Sequence, residues 1–213
     1  WHYLYKQKRR LEQNWSDGRC RSFQLPHPSY KEEAHTECVY TIQYSGKYLV
    51  SGSRDKTVRI WDLDTRRLMI PPLEGHTASV LCLQFDERPE HNIVVTGGSD
   101  CNVLMWRFSD GKILKKLEKA HSESVLNLRF DDTYLITCSK DKTIKVWNRK
   151  VILPTDDAYP RPKKGSGQVP AYIIDLEKIA PADHRYLEAL PEYTLLMTLD
   201  GHSAAVNAIQ ILD

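Results

Sequence analysis

The chain has 213 residues, of which 41% are hydrophobic and 27% charged, the balance of one or two globular domains rather than a disordered tail. Thirty Lys and Arg against twenty-eight Asp and Glu leave a formal charge of +2, too little for the global field that nucleic-acid or membrane-surface binding requires. No apolar run approaches the ~18 residues of a membrane-spanning helix, so neither a nucleic acid nor a membrane is an expected partner.

In chain order, Trp1, Leu4, Leu11 and Trp15 recur at helical spacing and Asp17-Gly18 closes the pattern. This predicts a helix within residues 1–18, its KQKRR run a solvated face. The chain starts Trp1-His2-Tyr3 with no signal peptide and reads as a piece of something longer. Asn14-Trp15-Ser16 fits a glycosylation sequon, but the five cysteines form no CxxC pair and indicate reduced thiols, hence a cytoplasmic or nuclear protein. Arg19 to Leu25 reads as a strand.

From residue 35 the sequence repeats. His35, His76, His121 and His202 each follow Ala or Gly, and His to Trp runs 26, 30 and 26 residues to Trp61, Trp106 and Trp147. Trp to the next His runs 15, 15 and 55 residues, giving a unit of about 41 with forty extra after the third Trp. Each unit carries VYTIQY, VLCLQF or VLNLRF, then YLVSG, IVVTG or YLITC, then TVRIW, NVLMW or TIKVW, with a last strand near RRLMIPPL or KILKKL. Four short strands per unit with GH and WD signatures resemble the blade of a WD-repeat β-propeller. The fold expected is therefore all-β, a partial propeller of three blades and the start of a fourth, with an N-terminal linker helix. Boundaries fall at 1–18 for the linker and 19–213 for the propeller: a closing outer strand 19–25, blades 35–74, 75–119 and 120–199, and a fourth blade from 200. Three blades by themselves are expected to be marginally stable.

Within each unit His35, Ser51, Asp55 and Trp61 recur as His76, Thr96, Asp100 and Trp106 and as His121, Thr137, Asp141 and Trp147. Each set resembles a Ser/Thr-His-Asp triad. A catalytic site is needed once, however, whereas a structural device is needed in every blade, so these are read as hydrogen-bonded scaffold tetrads. Ser53-Arg54-Asp55-Lys56 and Ser139-Lys140-Asp141-Lys142 match S-x-x-K only inside a repeated turn. KKGSG at 163–167 lacks the P-loop order, and no HExxH or CxxC spacing offers a metal site. Neither enzymatic activity, nor a cofactor, nor a metal is expected.

Six of the eleven prolines lie between 149 and 198, marking an insertion between the third and fourth strands of blade three. It is expected to be mostly disordered, with a short helix over Asp183 to Leu190 as the alternative. Alternating strand direction places it on the face opposite the turns of Arg54, Ser99 and Lys140.

Beyond the generic repeat, LEQNWSDGR, VYTIQY with GSRD, SVLCLQFDER, SVLNLRF with TCSKD, and GHSAAVN resemble the F-box proteins with beta-transducin repeats, the substrate receptors of SCF-type ubiquitin ligases. The resemblance covers roughly residues 8–148 and 199–211. It implies that residues 1–18 are the tail of a linker after an F-box upstream of Trp1, through which the SCF adaptor and cullin would be recruited. It also implies that the propeller binds phosphorylated protein substrates. The matching substrate-facing positions are Tyr40, Arg54, Leu81, Ser99, Leu126 and Asn207, with Lys140 at the same turn position in blade three. Tyr40, Leu81 and Leu126 would hold an apolar part of the ligand, Arg54 a phosphate through a bidentate fork, and Ser99 and Asn207 would add neutral hydrogen bonds. A WD-repeat scaffold with no link to ubiquitin is the alternative.

Overall fold

The computed structural model describes residues 1–19, 22–157, 159–160, 168, 170, 173 and 187–211. Helix α1 (His2–Ser16) buries none of its residues. It ends in a Schellman arrangement: the N–H of Gly18 donates to Trp15 O at 3.1 Å and that of Arg19 to Asn14 O at 2.8 Å. Gly18 takes the left-handed φ of +63° that this turn requires.

Among the described residues thirteen strands form three antiparallel sheets. The first holds β1 (Val39–Ser45), β2 (Tyr48–Ser53), β3 (Thr57–Asp62), β4 (Arg67–Leu68) and β5 (Leu73–Glu74). The second runs β6 (Val80–Asp86), β7 (Ile93–Gly98), β8 (Val103–Arg107) and β9 (Ile113–Leu117), and the third β10 (Val125–Phe130), β11 (Tyr134–Ser139), β12 (Ile144–Asn148) and β13 (Leu195–Leu199). Each first strand pairs with the second, the second with the third and the third with the fourth. The result is an open, partial β-propeller, as the repeat predicts. In the first sheet the outer strand is split: Arg67 and Leu68 pair with Asp62 and Trp61, while Leu73 and Glu74 pair with Val58 and Thr57. Pro71-Pro72 lies between the two pieces, and proline has no N–H to give the ladder.

The blades stack through two apolar cores. Val50, Val58 and Ile60 of the first sheet meet Val80, Leu83, Phe85 and Trp106 of the second. Cys82, Val95, Val103 and Met105 of the second meet Val125, Leu128, Phe130 and Trp147 of the third. Each such side chain taken out of water contributes ~1.5–3 kcal/mol. Close approach depends on two glycines at equivalent places. A Cβ on Gly52 would lie 2.7 Å from Val80 Cγ1, and one on Gly97 would lie 2.7 Å from Val125 Cγ1.

Several expectations are corrected. Residues 22–25 form no strand, and the start of the fourth unit, 200–211, is likewise irregular. Residues 20 and 21 of the first of these lie outside the described residues, and the second touches the third blade through single contacts rather than a ladder, with Val206 N donating to Ser139 O at 3.1 Å. The strand Leu195–Leu199 takes up the end of the expected insertion, which therefore runs 149–194. Of the alternative helix over Asp183 to Leu190, residues 183–186 lie outside the described residues. Residues 187–190 are not helical, and Leu190 instead bridges Ile152. The described part of the insertion is packed rather than loose: Ile152, Tyr159, Ile173 and Leu190 form a small core with Leu196. Asn148 explains the packing at its stem. Its buried amide Nδ2 donates to Lys150 O and Pro191 O at 2.7 Å, and its Oδ1 accepts from Thr194 N at 2.6 Å.

Candidate functional site

In all three blades the His, Ser/Thr, Asp and Trp side chains form one chain of hydrogen bonds. The indole N–H of Trp61, Trp106 and Trp147 donates to Ser51, Thr96 and Thr137 at 2.8, 2.9 and 3.0 Å. Those hydroxyls meet Nε2 of His35, His76 and His121 at 2.8 Å in every blade. Nδ1 then faces Asp55, Asp100 and Asp141 at 2.8, 3.0 and 2.9 Å. With the hydroxyl accepting from the indole, its own proton goes to Nε2, which leaves Nδ1–H to donate to the carboxylate. Burial pushes His35 and His121 below the usual histidine range, so these imidazoles stay neutral. Burial by itself would raise the Asp carboxyls. Hydrogen bonds from Thr57 and His35 outweigh it at Asp55, those from His76 at Asp100 and those from Thr143 at Asp141, holding each at about 2.

The triad-like distances do not make a nucleophile. Ser51, Thr96 and Thr137 are buried, and each is already engaged on both sides by the indole and the imidazole. What the tetrad does is fix a turn. Oδ1 of Asp55, Asp100 and Asp141 accepts from the backbone N–H two residues on, at 3.0, 3.2 and 2.9 Å. The residue between, Lys56, Cys101 or Lys142, is held at a φ of 72, 65 or 72°. Among the described residues no group of three or more His, Cys, Asp and Glu is placed to hold a metal ion, no helix is long and apolar enough to cross a membrane, and the four described cysteines are free thiols.

The residue before each tetrad Asp is the variable one, and the fold brings the three to equivalent places. The backbone N–H of Arg54 donates to Cys38 O at 2.9 Å, that of Ser99 to Ser79 O at 2.8 Å and that of Lys140 to Ser124 O at 3.0 Å. Each therefore sits where its blade's first strand begins. Tyr40, Leu81 and Leu126 lie at that same end, in one depression together with Gln43, Gln84, Asn127 and Arg129. Tyr40 is exposed, and Leu81 and Leu126 are half-buried. Arg54 is exposed, and its guanidinium makes no hydrogen bond or ion pair among the described residues. Lys140 differs, its ammonium lying 3.6 Å from Glu123 Oε2. Asn207 is exposed in the irregular end of the chain, where its carbonyl accepts from Asn127 Nδ2 at 3.4 Å. The structure thus gathers six of the seven positions along one end of the three blades, with Asn207 joined to them through Asn127.

Sequence reasoning missed the glutamines beneath this surface. Gln43 Oε1 accepts from Phe85 N at 2.7 Å, while Gln84 Oε1 accepts from Phe130 N at 2.7 Å and its Nε2 donates to Phe130 O at 3.0 Å. Each glutamine satisfies the free inner edge of the next blade's first strand. The signal was present as the recurrence of Gln at equivalent positions, although the third repeat has Arg129 there.

Comparison with known proteins bears on the same residues. The model of the family described as "WD domain, G-beta repeat" matches residues 27–62, 68–107 and 111–148. Mitochondrial division protein 1 of Malassezia globosa is 44% identical over 68 residues, 30% of this chain and 10% of that protein. The F-box/WD repeat-containing protein pof1 of Schizosaccharomyces pombe is 37% identical over 65 residues, again 30% of this chain and 10% of that one. The matched segments thus span about a tenth of these relatives. Among solved structures, the WD40 beta propeller domain of Doa1 is similar with a TM-score of 0.52 at 21% identity, over 81% of this chain and 43% of that one, a likeness of fold.

Proposed function

The chain belongs to the WD domain, G-beta repeat family and is a protein-interaction module, and on that premise we propose that it recognises phosphorylated proteins as the substrate receptor of an SCF-type ubiquitin ligase. The observation that carries the reading is Arg54: an exposed residue whose guanidinium has no partner among the described residues and whose backbone is held by the tetrad turn, at the end of the blades where Tyr40, Leu81 and Leu126 line a depression. A guanidinium so placed offers a bidentate fork to a phosphate, and the neighbouring depression offers apolar contact to the residues around it. Ser99, whose hydroxyl is unengaged among the described residues, would add a neutral hydrogen bond. The similarity to pof1 supports an F-box link to the ligase adaptor and cullin. The free thiols agree with a cytoplasmic or nuclear setting. On this reading the module performs no chemistry of its own.

The test is calorimetric titration of the protein with a phosphorylated peptide and its unphosphorylated counterpart. Arg54→Ala is expected to weaken phosphopeptide binding ~10-fold or more, as loss of a charge-assisted hydrogen-bond pair implies. Equal affinity of the wild-type protein for both peptides would remove the proposal. The similarity to mitochondrial division protein 1 favours a second reading, a WD-repeat scaffold with no link to ubiquitin. Under that reading neither the ligase adaptor nor ubiquitin conjugates co-purify with the full-length protein from cells.

A further inference from the structure

The outer strands of the three blades differ in what lies against their free edge. In the first blade the segment before β1 covers it: Leu68 N donates to Glu33 Oε2 at 2.9 Å and His27 N to Arg66 O at 2.8 Å. In the third the insertion covers it, Thr198 N donating to Gln168 O at 2.8 Å in an antiparallel bridge. The second blade has no such cover among the described residues: β9 pairs with β8 alone. The first and third blades flank this sheet on its two faces, and neither pairs with the edge. β9 also carries a bulge, since Met105 faces Lys115 and Trp106 faces Ile113. The extra residue, Leu114, is left without a ladder partner, and Ile113 and Leu114 are both exposed, at 48% and 47%. Beside them stand Lys112, Lys115, Lys116 and Lys119, all exposed, against the one carboxylate of Glu118 in residues 112–119. Lys116 lies 3.0 Å from Glu118 and Lys112 3.8 Å from Asp110, while Lys115 and Lys119 form no ion pair among the described residues.

We propose that the outer edge of β9 is a docking site for an acidic, extended segment of a partner protein, which adds to the second blade as a further strand. The edge belongs to the outermost strand of the blade, whereas Leu81 of the depression belongs to the innermost, so this site is distinct from the one read as a phosphopeptide site. A bare edge presents unpaired N–H and C=O groups to any chain able to continue the ladder. The lysines decide which chain can. Two copies of β9 set edge to edge would bring like charges opposite one another, which is destabilising, so the edge excludes a second copy of itself. A strand with Asp or Glu at alternate positions meets the lysines with the opposite sign, and its intervening apolar residues cover Ile113 and Leu114. The bulge limits the added ladder to short runs on either side of Leu114, so the affinity expected is modest.

The experiment follows the fluorescence anisotropy of labelled probes titrated with the protein at fixed salt. The probes are a short peptide of alternating Glu and Val, the same peptide with its central Val residues replaced by Pro, one of alternating Lys and Val, and a poly-dT oligonucleotide. The Glu-Val peptide is expected to bind best, and amide hydrogen exchange over 113–117 to slow in its presence, which attraction between charges alone would not cause. Lys115→Glu combined with Lys116→Glu should weaken it about 10-fold or more, and Leu114→Ser about 3-fold, while Arg54→Ala leaves it unchanged. All of these side chains are exposed, so the variants keep the fold, as circular dichroism would check. Equal binding of the Pro-containing peptide, tighter binding of the oligonucleotide, or unslowed exchange over 113–117 would each overturn the proposal. None of those results touches the phosphopeptide reading, which has its own test at Arg54.

Discussion

Trp106 and Thr96 are joined by an indole-to-hydroxyl hydrogen bond of 2.9 Å, deep between the second blade and its neighbour and closed to solvent. Thr96→Val keeps the shape and removes both the acceptor for the indole and the donor to His76. Two buried polar groups then lose a partner, at ~1–3 kcal/mol each. Urea unfolding is expected to show a loss of at least about 2 kcal/mol. A variant as stable as the wild type would mean that the tetrad contributes nothing to the fold.

The tetrads also predict how stability depends on pH. His35 and His121 have folded pKa values below the usual range, so the unfolded chain binds protons first as pH falls through ~6.5. Their contribution is complete above that pH and declines below it. Asp55, Asp100 and Asp141 are held at about 2, so a second decline is expected as pH falls from ~4 toward 2. Thermal melts should show a plateau near neutrality and two descents on acidification. A midpoint that rises between pH 7 and pH 5 would contradict the neutral, buried imidazoles.

Equivalent first-strand positions should respond very differently to substitution. Ile42 of blade one is 63% exposed, whereas its counterparts Leu83 and Leu128 are 4% and 0% exposed. Leu83→Ala is expected to cost ~2–5 kcal/mol through lost burial and a cavity. Ile42→Ala should cost under about 0.5 kcal/mol. Parallel denaturant curves decide it, and comparable losses at the two sites would show that the first blade's outward face is covered in solution.

Asn148→Asp should loosen the stem of the insertion. The amide donates to two carbonyls at 2.7 Å and a third, that of Leu190, at 3.4 Å; a carboxylate can donate to none and brings an unpaired charge among them. Limited proteolysis is expected to cut within 149–194 at least several-fold faster than in the wild type. Unchanged cleavage in a variant of wild-type thermal stability would show that the stem is held elsewhere.

The blades and tetrads were legible because each is written several times. Ser51, Thr96 and Thr137 stand at fixed distances from their Asp and Trp, and a network needed in every blade leaves a period in the sequence. Features that occur once leave none. Asn148 stands where blade one has Asp62, directly after the Trp, and nothing local says that it will gather residues 40 or more positions away. Phe23 and Leu25 have strand character, but a strand also needs a neighbour, which propensity does not report. The outer strand of blade one was placed near RRLMIPPL, and within that string only Pro71-Pro72, which has no N–H to give a ladder, marks where it splits. At the candidate site the variable turn residue was legible as the one letter that changes between scaffold letters. The pairing of Lys140 with Glu123 was not, because Glu37 stands at the same place beside an Arg and makes no such pair.

The glutamine clamps have a consequence for how such a fold can change. Gln43 and Gln84 tie blade to blade through the tip of one side chain, where a backbone ladder would dictate spacing rung by rung. A tether of this kind can swivel. Over generations, duplication or loss of a repeat would require only that one amide reach a slightly different angle, leaving the blades themselves untouched. Arg129, which can donate but not accept, shows that even this joint is open to replacement one position at a time.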